Sequence, residues 1–247
     1  MKKAYVVIGI CLAALLAYFS SCDDNSQYSL GDFVVSIATV EPTGANGYHI
    51  VLDNGKRLLP VHSDIRYMPG REQRVVVNYT ILSDAKDGYD YYVKINDIWN
   101  ILTKQVIELN EENADSIGND PIQIHDIWVG GDYLNVDFFF NYGKGEKPHA
   151  VNMVKNTLSS EATLNGVDLE FRHNAYNSAS SKLYRGFVSF NLKPLQRTDV
   201  DSVVISVKVK DWAEEKNYEV VYRYNQAALA NMSDNASIPV ITSDEYY

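Results

Sequence analysis

The sequence has almost no cysteine, with only Cys11 and Cys22 among 247 residues. Cys11 lies in an N-terminal segment that we expect to be removed, and Cys22 is the predicted site of lipid attachment. The mature chain then has no pair of thiols for a disulfide or for a zinc–thiolate site. Its fold must depend on a hydrophobic core, and about 225 residues suffice for one large β domain or two smaller ones.

Positive charge is also scarce, because 22 lysines and arginines face 32 aspartates and glutamates, for a net charge of −10. An acidic surface repels the phosphate backbone of nucleic acids, so we predict no nucleic-acid partner. It repels anionic lipid headgroups as well. A contact with the membrane therefore has to depend on a covalently attached lipid.

Sequence motifs for catalysis and metal binding are absent. There is no G-x-S-x-G, H-E-x-x-H, G-x-G-x-x-G or P-loop motif, and the five histidines are scattered. Carboxylate pairs such as Asp132 with Asp137, or Asp199 with Asp201, are more simply explained as outward-facing solvated residues than as glycosidase acids. The acidic segment 84–90 lacks calcium-loop spacing and predicts a polar hairpin turn. We predict no enzymatic activity, no catalytic residues, no metal and no cofactor.

The N-terminal segment has the pattern of a bacterial lipoprotein signal peptide. Two lysines precede an uncharged stretch over residues 4–21, and the small residues before Cys22 mark a cleavage site that resembles a lipobox. We predict a signal peptide over residues 1–21, fatty acyl chains such as palmitate on Cys22, and a polar tether over residues 22–30. The alternative is that residues 4–21, just long enough to cross a bilayer, are retained as an anchor.

The acidic residues directly after Cys22 indicate where the protein is sent. Asp23-Asp24-Asn25 resembles the export signal that directs some lipoproteins of Gram-negative bacteria to the outer face of the outer membrane. We therefore predict an outer-membrane protein that is anchored by its lipid and faces the cell exterior. The periplasm-facing leaflet is the alternative.

From Gly31 onward the sequence alternates in the manner of β-strands, and no window has a long apolar stripe at helical spacing. Residues 31–105 contain about five predicted strands, including a hairpin around Asp53-Asn54-Gly55. This count suits a small closed barrel of the oligonucleotide/oligosaccharide-binding (OB) type. A polar segment after residue 105 marks the domain boundary.

Residues 106–232 continue the β pattern with longer alternating strands. Leu134, Val136 and Phe138, for example, alternate with polar or outward residues, as an antiparallel β-sandwich requires. One short helix is predicted near the end of this domain. The tail over residues 233–247 is predicted to be weakly ordered or to pair along a sheet edge. The predicted fold class is all-β, an OB-like barrel followed by an antiparallel β-sandwich.

Several short segments stand out along the chain: Ile37-Ala38-Thr39-Val40, Asp53-Asn54-Gly55 with Leu59-Pro60, Arg74-Val75-Val76-Val77-Asn78-Tyr79, Trp128-Val129-Gly130-Gly131-Asp132-Tyr133 and Phe171-Arg172-His173-Asn174. Together they resemble the NigD-like lipoproteins, and the similarity covers nearly the whole mature chain. The resemblance implies an N-terminal OB-type domain followed by a C-terminal β-sandwich. The family name derives from a gene near a bacteriocin, which implies a role in immunity. No catalytic residues come with the resemblance.

Tyrosine is abundant, with 18 residues. Its rings stack on sugars and supply contact area at protein interfaces, although tyrosine is also favoured in strands. Trp99 and Tyr92, near the predicted barrel, are the candidate residues of a ligand-binding patch. Ser116 lies in a three-residue sequence that resembles an acceptor for O-glycosylation of exported proteins.

The expected function is a non-catalytic binding or accessory role at the cell surface. The partner is then an extracellular protein, as in bacteriocin immunity. The alternative is a component of an uptake or adhesion system that binds a glycan or a small ligand.

Overall fold

The computed structural model describes residues 28–44, 47–143, 145, 147–158, 166–178 and 181–224. The predicted signal peptide, Cys22, the short helix near residue 225 and the C-terminal tail lie outside these residues. Strands dominate the described part of the chain. None of the helices in that part is long and apolar enough to cross a membrane.

Five strands form the N-terminal domain: β1 (Val34–Pro42), β2 (Tyr48–Leu52), β3 (Arg57–Ser63), β4 (Gln73–Asp84) and β5 (Tyr91–Asn100). They close into a barrel in the order β1-β2-β3-β5-β4, which confirms the predicted barrel. The turn between β2 and β3 contains Gly55, whose φ of 84° lies in the left-handed region that glycine enters without strain. Inward side chains such as Val75, Val77 and Ile95 are fully buried and form the core.

Nine strands form the second domain: β6 (Leu102–Gln105), β7 (Ile107–Leu109), β8 (Gln123–Gly130), β9 (Tyr133–Asn141), β10 (Ala150–Asn156), β11 (Gly166–Asn174), β12 (Leu183–Asn191), β13 (Ser202–Lys210) and β14 (Glu215–Arg223). A sheet in the order β14-β13-β11-β10-β7 packs on a sheet in the order β6-β12-β9-β8. Phe138 and Phe171, one from each sheet, meet in the core with ring centroids 5.3 Å apart. A short helix, α1 (Ala114–Ile117), lies in the connection between β7 and β8. The all-β class is thereby confirmed.

The sandwich is mixed, whereas the sequence predicts antiparallel pairing. The pairs β6–β12, β7–β10 and β11–β13 are parallel. Alternation shows which side chains face the core, but it does not show the direction of the neighbouring strand. The side-chain period is two residues in both arrangements.

The chain passes from the barrel to the sandwich at Ile101. β5 ends at Asn100, and Leu102 of β6 pairs with Val188 of β12. Ile101 itself is buried, and its N–H donates to the carbonyl of Arg74. β6 therefore lies in the sandwich, although the sequence predicts it within the barrel domain. Apolar residues continue across the junction as Ile98, Trp99, Ile101 and Leu102, so the sequence has no polar break where the strand changes partner.

Strand β9 is buried on both faces. Leu134 points into the core, but the polar residues Asn135 and Asp137 on the other face are only 0% and 6% exposed. Asn135 lies against the barrel, where it accepts a hydrogen bond from Arg74. Asp137 forms a two-pronged ion pair with Arg185 of β12. The expectation that Asp137 belongs to a solvated outward row is therefore wrong.

Candidate functional site

A buried arginine connects the two domains. Arg74 of β4 is 1% exposed, and its guanidinium donates to both carboxylate oxygens of Asp53, with 2.9 Å between Nη2 and Oδ2. It also donates to Thr39 in the barrel and to Asn135 in the sandwich, each over 3.2 Å. The ring centroid of Tyr133 lies 4.7 Å from Arg74 Cζ. The buried charge is compensated within this network, as a buried ion requires.

The joint also has an apolar part, which includes one of the predicted ligand-binding residues. Trp99 of the barrel packs with Trp128 and Phe187 of the sandwich around a small buried cluster. Tyr92 lies near the other end of β5, where it pairs with Leu59 of β3. The structure therefore does not bring Trp99 and Tyr92 together in one patch. A ligand contact by either residue remains a prediction.

A cleft of about 180 Å³ opens beside the joint, and carboxylates line it. Protein groups already engage these carboxylates: Tyr133 donates to Glu72 over 2.5 Å, and Tyr222 donates to Asp132 over 2.7 Å. Burial, reinforced by these carboxylates, raises the pKa of both tyrosines, so the hydroxyls stay protonated donors. Ligand pockets usually enclose about 300–1,000 Å³. The cleft is therefore a seam of the joint, too small for a typical ligand.

A second groove, of about 400 Å³, lies on the barrel beside the loop between β3 and β4. Arg71 is the one charged side chain among its lining residues, which also include Tyr67, Met68 and Asn100. Tyr67 donates to Asn100 over 2.7 Å across the groove. The groove offers few groups for chemistry.

The most distinctive cluster of reactive side chains lies at one end of the sandwich. His149 just before β10, His173 in β11 and Ser178 after β11 form a hydrogen-bonded sequence that we call the Ser–His–His chain. His149 Nδ1 is 3.0 Å from His173 Nε2, and His149 Nε2 is 2.6 Å from Ser178 Oγ. The Ser178 hydroxyl also donates to the carbonyl of Gly143 over 2.8 Å. His173 is buried, whereas His149 and Ser178 are partly exposed.

Ser178 is positioned by a tight turn with unusual backbone angles. Its N–H donates to the carbonyl of Ala175 over 2.9 Å, and the intervening Tyr176 and Asn177 have φ of 49° and 59°. Two such angles in succession are typical of a type I′ turn, which glycine and asparagine fill most easily. A tyrosine there is unfavourable, so strain is held directly beside Ser178. Asp120 accepts from the N–H of Ala175 over 2.7 Å and fixes the turn.

Aromatic rings surround the two histidines. The Phe140 ring lies 5.4 Å from that of His149 and 5.7 Å from that of His173. The Tyr142 ring lies 5.2 Å from His149 and 5.0 Å from Tyr184. Tyr142 and Tyr184 are 36% and 41% exposed, so the aromatic cluster extends from the core to the surface. It forms an apolar wall beside the polar chain.

The surroundings favour neutral imidazoles. Burial is the largest effect and lowers the pKa of both His149 and His173, and the neighbouring His149 lowers that of His173 further. Asp120 opposes both shifts, and the Gly143 carbonyl also opposes that of His149. His173 Nδ1 is buried without a hydrogen-bond partner of normal geometry. A weaker contact with the Pro121 carbonyl favours a proton on the ring.

The prediction of scattered histidines holds for His49, His62 and His125, which pair with separate carboxylates. It is wrong for His149 and His173, which the antiparallel pairing of β10 with β11 brings together. No short motif signals this contact, because strand register depends on residues far apart in the chain. Over the described ranges, no group of three or more histidine, cysteine, aspartate or glutamate side chains is arranged to hold a metal ion.

Two further predicted features can be located. Ser116 lies exposed on α1, and its hydroxyl donates to the carbonyl of Asn113 over 2.9 Å. Its glycosylation remains a prediction. The acidic segment 84–90 forms the turn between β4 and β5, where Asp90 accepts a hydrogen bond from the N–H of Arg57 over 2.7 Å. The expected polar turn is thereby confirmed.

The fold and the joint define a class of protein: an OB-type barrel fused through a buried interface to a β-sandwich. The NigD-like N-terminal OB domain matches residues 37–101, and the NigD-like C-terminal beta sandwich domain matches residues 105–222. The chain belongs to the NigD-like family. No curated protein matches the sequence.

Three solved structures are similar over most of the chain. A protein of unknown function from Bacteroides vulgatus has a TM-score of 0.71 and 29% identity, covering 87% of this chain and 98% of its own. A protein from Parabacteroides distasonis, provisionally assigned as toxin related, has a TM-score of 0.68 and 32% identity, covering 82% and 100%. A NigD-like immunity protein from Bacteroides caccae has a TM-score of 0.57 and 22% identity, covering 75% and 90%.

Proposed function

We propose that this protein is an outer-membrane lipoprotein that faces the cell exterior and binds an extracellular protein, as a bacteriocin-immunity protein does. The lipobox-like sequence before Cys22 and the acidic residues after it support the location. Membership in the NigD-like family supports the binding role. The toxin-related assignment of the Parabacteroides distasonis protein and the immunity role named for the Bacteroides caccae protein point in the same direction.

The observation that carries the binding role is the buried contact between the two domains. Arg74 of the barrel contacts Asn135 of the sandwich in a buried network, and Trp99 packs with Trp128 and Phe187 beside it. The two domains are therefore held in contact, so that one partner can bind across both. A protein partner needs a broad surface, since a standard interface buries about 800 Å² on each side.

The immunity role is tested by deleting the gene and exposing the cells to bacteriocins secreted by a panel of related strains. We expect the deletion strain to become sensitive to at least one of them. The wild-type gene should restore resistance, and a gene encoding Cys22→Ala should not, because the unanchored protein is not held at the membrane. Unchanged sensitivity across the whole panel would contradict the role.

The anchor is tested separately by feeding cells an alkyne-labelled palmitate. The wild-type protein should take up the label and appear in the outer-membrane fraction, and Cys22→Ala should lose both properties. Cys11→Ala is the matched control, since it removes the other cysteine and should leave labelling unchanged. Equal labelling of wild type and Cys22→Ala would argue for a retained signal segment.

A second candidate role, glycan binding, is favoured by the exposed rings of Tyr142 and Tyr184. Aromatic faces of this kind stack on sugar rings. A glycan array probed with the full-length protein tests it. Binding that is lost in Tyr184→Ala and kept in Tyr92→Ala would support this role and locate the site on the sandwich, whereas an array without signal would count against it.

A further inference from the structure

We propose that Ser178 is a nucleophile for carboxylic esters with an apolar or aromatic acyl group, with His149 as its general base and His173 as the residue that positions His149. This activity goes beyond the binding role and does not depend on it. It assigns a reaction to side chains that come from three separate segments of the chain. The sequence alone gives no reason to group them.

The distances within the Ser–His–His chain fit this assignment. Nucleophilic serine catalysis needs a base within hydrogen-bond reach of the hydroxyl and a third group that orients the base. His149 Nε2 lies 2.6 Å from Ser178 Oγ, and His173 Nε2 lies 3.0 Å from His149 Nδ1. Because His173 is 2% exposed, its ring is held by the surrounding core.

The reactive arrangement of the protons is one of two that the hydrogen-bonded chain allows. The Pro121 carbonyl favours a proton on the His173 ring. With that proton on Nδ1, His173 Nε2 accepts from His149 Nδ1. His149 Nε2 then carries a lone pair and accepts the proton of Ser178. The opposite arrangement leaves the buried Nδ1 of His173 as an acceptor without a donor. In the structure the Ser178 hydroxyl donates to the Gly143 carbonyl over 2.8 Å, and the same carbonyl favours a proton on His149. The serine proton therefore has to turn from Gly143 to His149 Nε2 before the reaction begins.

The backbone around Ser178 supports a chemical role. Strained residues such as Tyr176 concentrate at functional sites, where the surrounding structure holds them. Gly145 lies on the other side of Ser178: a Cβ added there would come within 3.0 Å of Ser178 Cβ and 3.8 Å of Oγ. The absence of a side chain at Gly145 lets the backbone approach Ser178 closely.

The aromatic cluster beside His149 determines which class of ester we expect to react. Phe140, Tyr142 and Tyr184 line the same end of the sandwich as His149. An apolar or aromatic acyl group gains free energy by covering these rings. We therefore expect butyryl or benzoyl esters to react faster than esters with a charged acyl group.

The reaction is a two-step hydrolysis. Ser178 Oγ bonds to the ester carbonyl carbon while its proton passes to His149 Nε2. The carbon–oxygen bond to the alcohol breaks, and the alcohol leaves with that proton. Water then attacks the acyl-serine, giving one proton to His149, and that proton returns to Ser178 Oγ as the carboxylic acid is released.

A fluorophosphonate probe tests the nucleophile directly, because it reacts with activated serines and leaves a covalent label. The full-length protein, purified in detergent, should be labelled on the peptide that contains Ser178 and should hydrolyse p-nitrophenyl butyrate. Ser178→Ala should abolish both signals. His149→Ala should slow both by roughly 100-fold or more, the usual contribution of a general base. Ser202→Ala removes an exposed serine at the start of β13 and should change neither.

Testing the positioning role of His173 requires a measurement that a purely structural role would leave unchanged. His173→Gln keeps a group that can accept from His149, and His173→Leu does not. We expect His173→Gln to retain more labelling than His173→Leu and to shift the pH at which labelling is half-maximal. Labelling that persists in Ser178→Ala, or no labelling of wild-type protein whose circular dichroism shows it folded, would overturn the proposal. Equal labelling of the two His173 variants with unchanged pH profiles would overturn the role of His173.

Discussion

Arg74 and Asp53 form a two-pronged ion pair in which the arginine is almost completely buried and the aspartate is 23% exposed. Asp53 belongs to the hairpin turn between β2 and β3, so a local turn in the barrel supplies the counter-ion for a charge that also contacts Asn135 of the sandwich. The ion pair therefore connects the formation of one hairpin with the contact between the two domains.

Replacing Asp53 by alanine should destabilise the protein strongly. The substitution leaves the guanidinium of Arg74 buried without a counter-ion, and breaking a buried pair in this way costs about 3–5 kcal/mol of the free energy of unfolding. Urea denaturation followed by circular dichroism measures the change. Asp199→Ala is the matched control, because the pair of Asp199 with Arg197 is exposed and exposed pairs contribute little. Equal losses in the two variants would show that Arg74 does not depend on Asp53.

A methyl group at Gly130 should disturb the same joint from the sandwich side. A Cβ there would lie 1.9 Å from Asp53 Oδ2 and 2.5 Å from Asp53 Cγ, so the carboxylate would have to move away from Arg74. We expect Gly130→Ala to lower the free energy of unfolding by about 1–3 kcal/mol. Gly70→Ala is the control, since nothing lies within 4 Å of a Cβ at that position, and its effect should stay within about 0.5 kcal/mol. If Gly130→Ala leaves the free energy of unfolding unchanged, the domain contact is looser than the distances indicate.

Much of this fold can be predicted from the sequence, but the joint cannot. The turn Asp53-Asn54-Gly55 is evident because its chemistry is local, and the five barrel strands follow from their alternation. Arg74 stands at the start of a predicted strand, yet nothing nearby in the sequence shows that it is buried or that Asn135 lies opposite. Contacts between domains depend on the packing of surfaces that each strand pattern describes only separately.

The same reasoning explains the outcome for the candidate site. Trp99 and Tyr92 are conspicuous in the sequence because of their ring size, but Trp99 serves the domain joint. His149, His173 and Ser178 are individually unremarkable, and they meet only because of the register between β10 and β11 and the turn that follows. A cluster made by register gives no spacing signal that a motif could capture.

A third stability test replaces a glycine of the sandwich that lies against a core phenylalanine. Gly186 of β12 is paired with Phe138 of β9, and the phenylalanine ring lies close to it. A Cβ at Gly186 would come within 2.4 Å of Phe138 Cζ. We expect Gly186→Ala to lower the melting temperature and Gly186→Val to lower it further, because the displaced ring loses its fit in the core. The double variant Gly186→Ala, Phe138→Leu should recover part of the loss. No recovery would show that the ring is not what the methyl group meets.

Stability should fall in mild acid because of His149 and His173. Their pKa values are lowered in the folded protein, mainly by burial, whereas in the unfolded chain they return to about 6.5. As the pH falls through about 6.5, the unfolded state takes up protons that the folded state does not bind, so the free energy of unfolding decreases until the folded rings also titrate.

Urea midpoints measured from pH 8 to pH 5 should therefore decline in the wild type and decline less in the double variant His149→Gln, His173→Gln. Acidic side chains contribute equally to both proteins, so the difference between the two curves isolates the histidine pair. His62→Gln, at an exposed ring, controls for the loss of a histidine and should follow the wild-type curve. If the double variant follows it too, the pair is not held neutral by the fold.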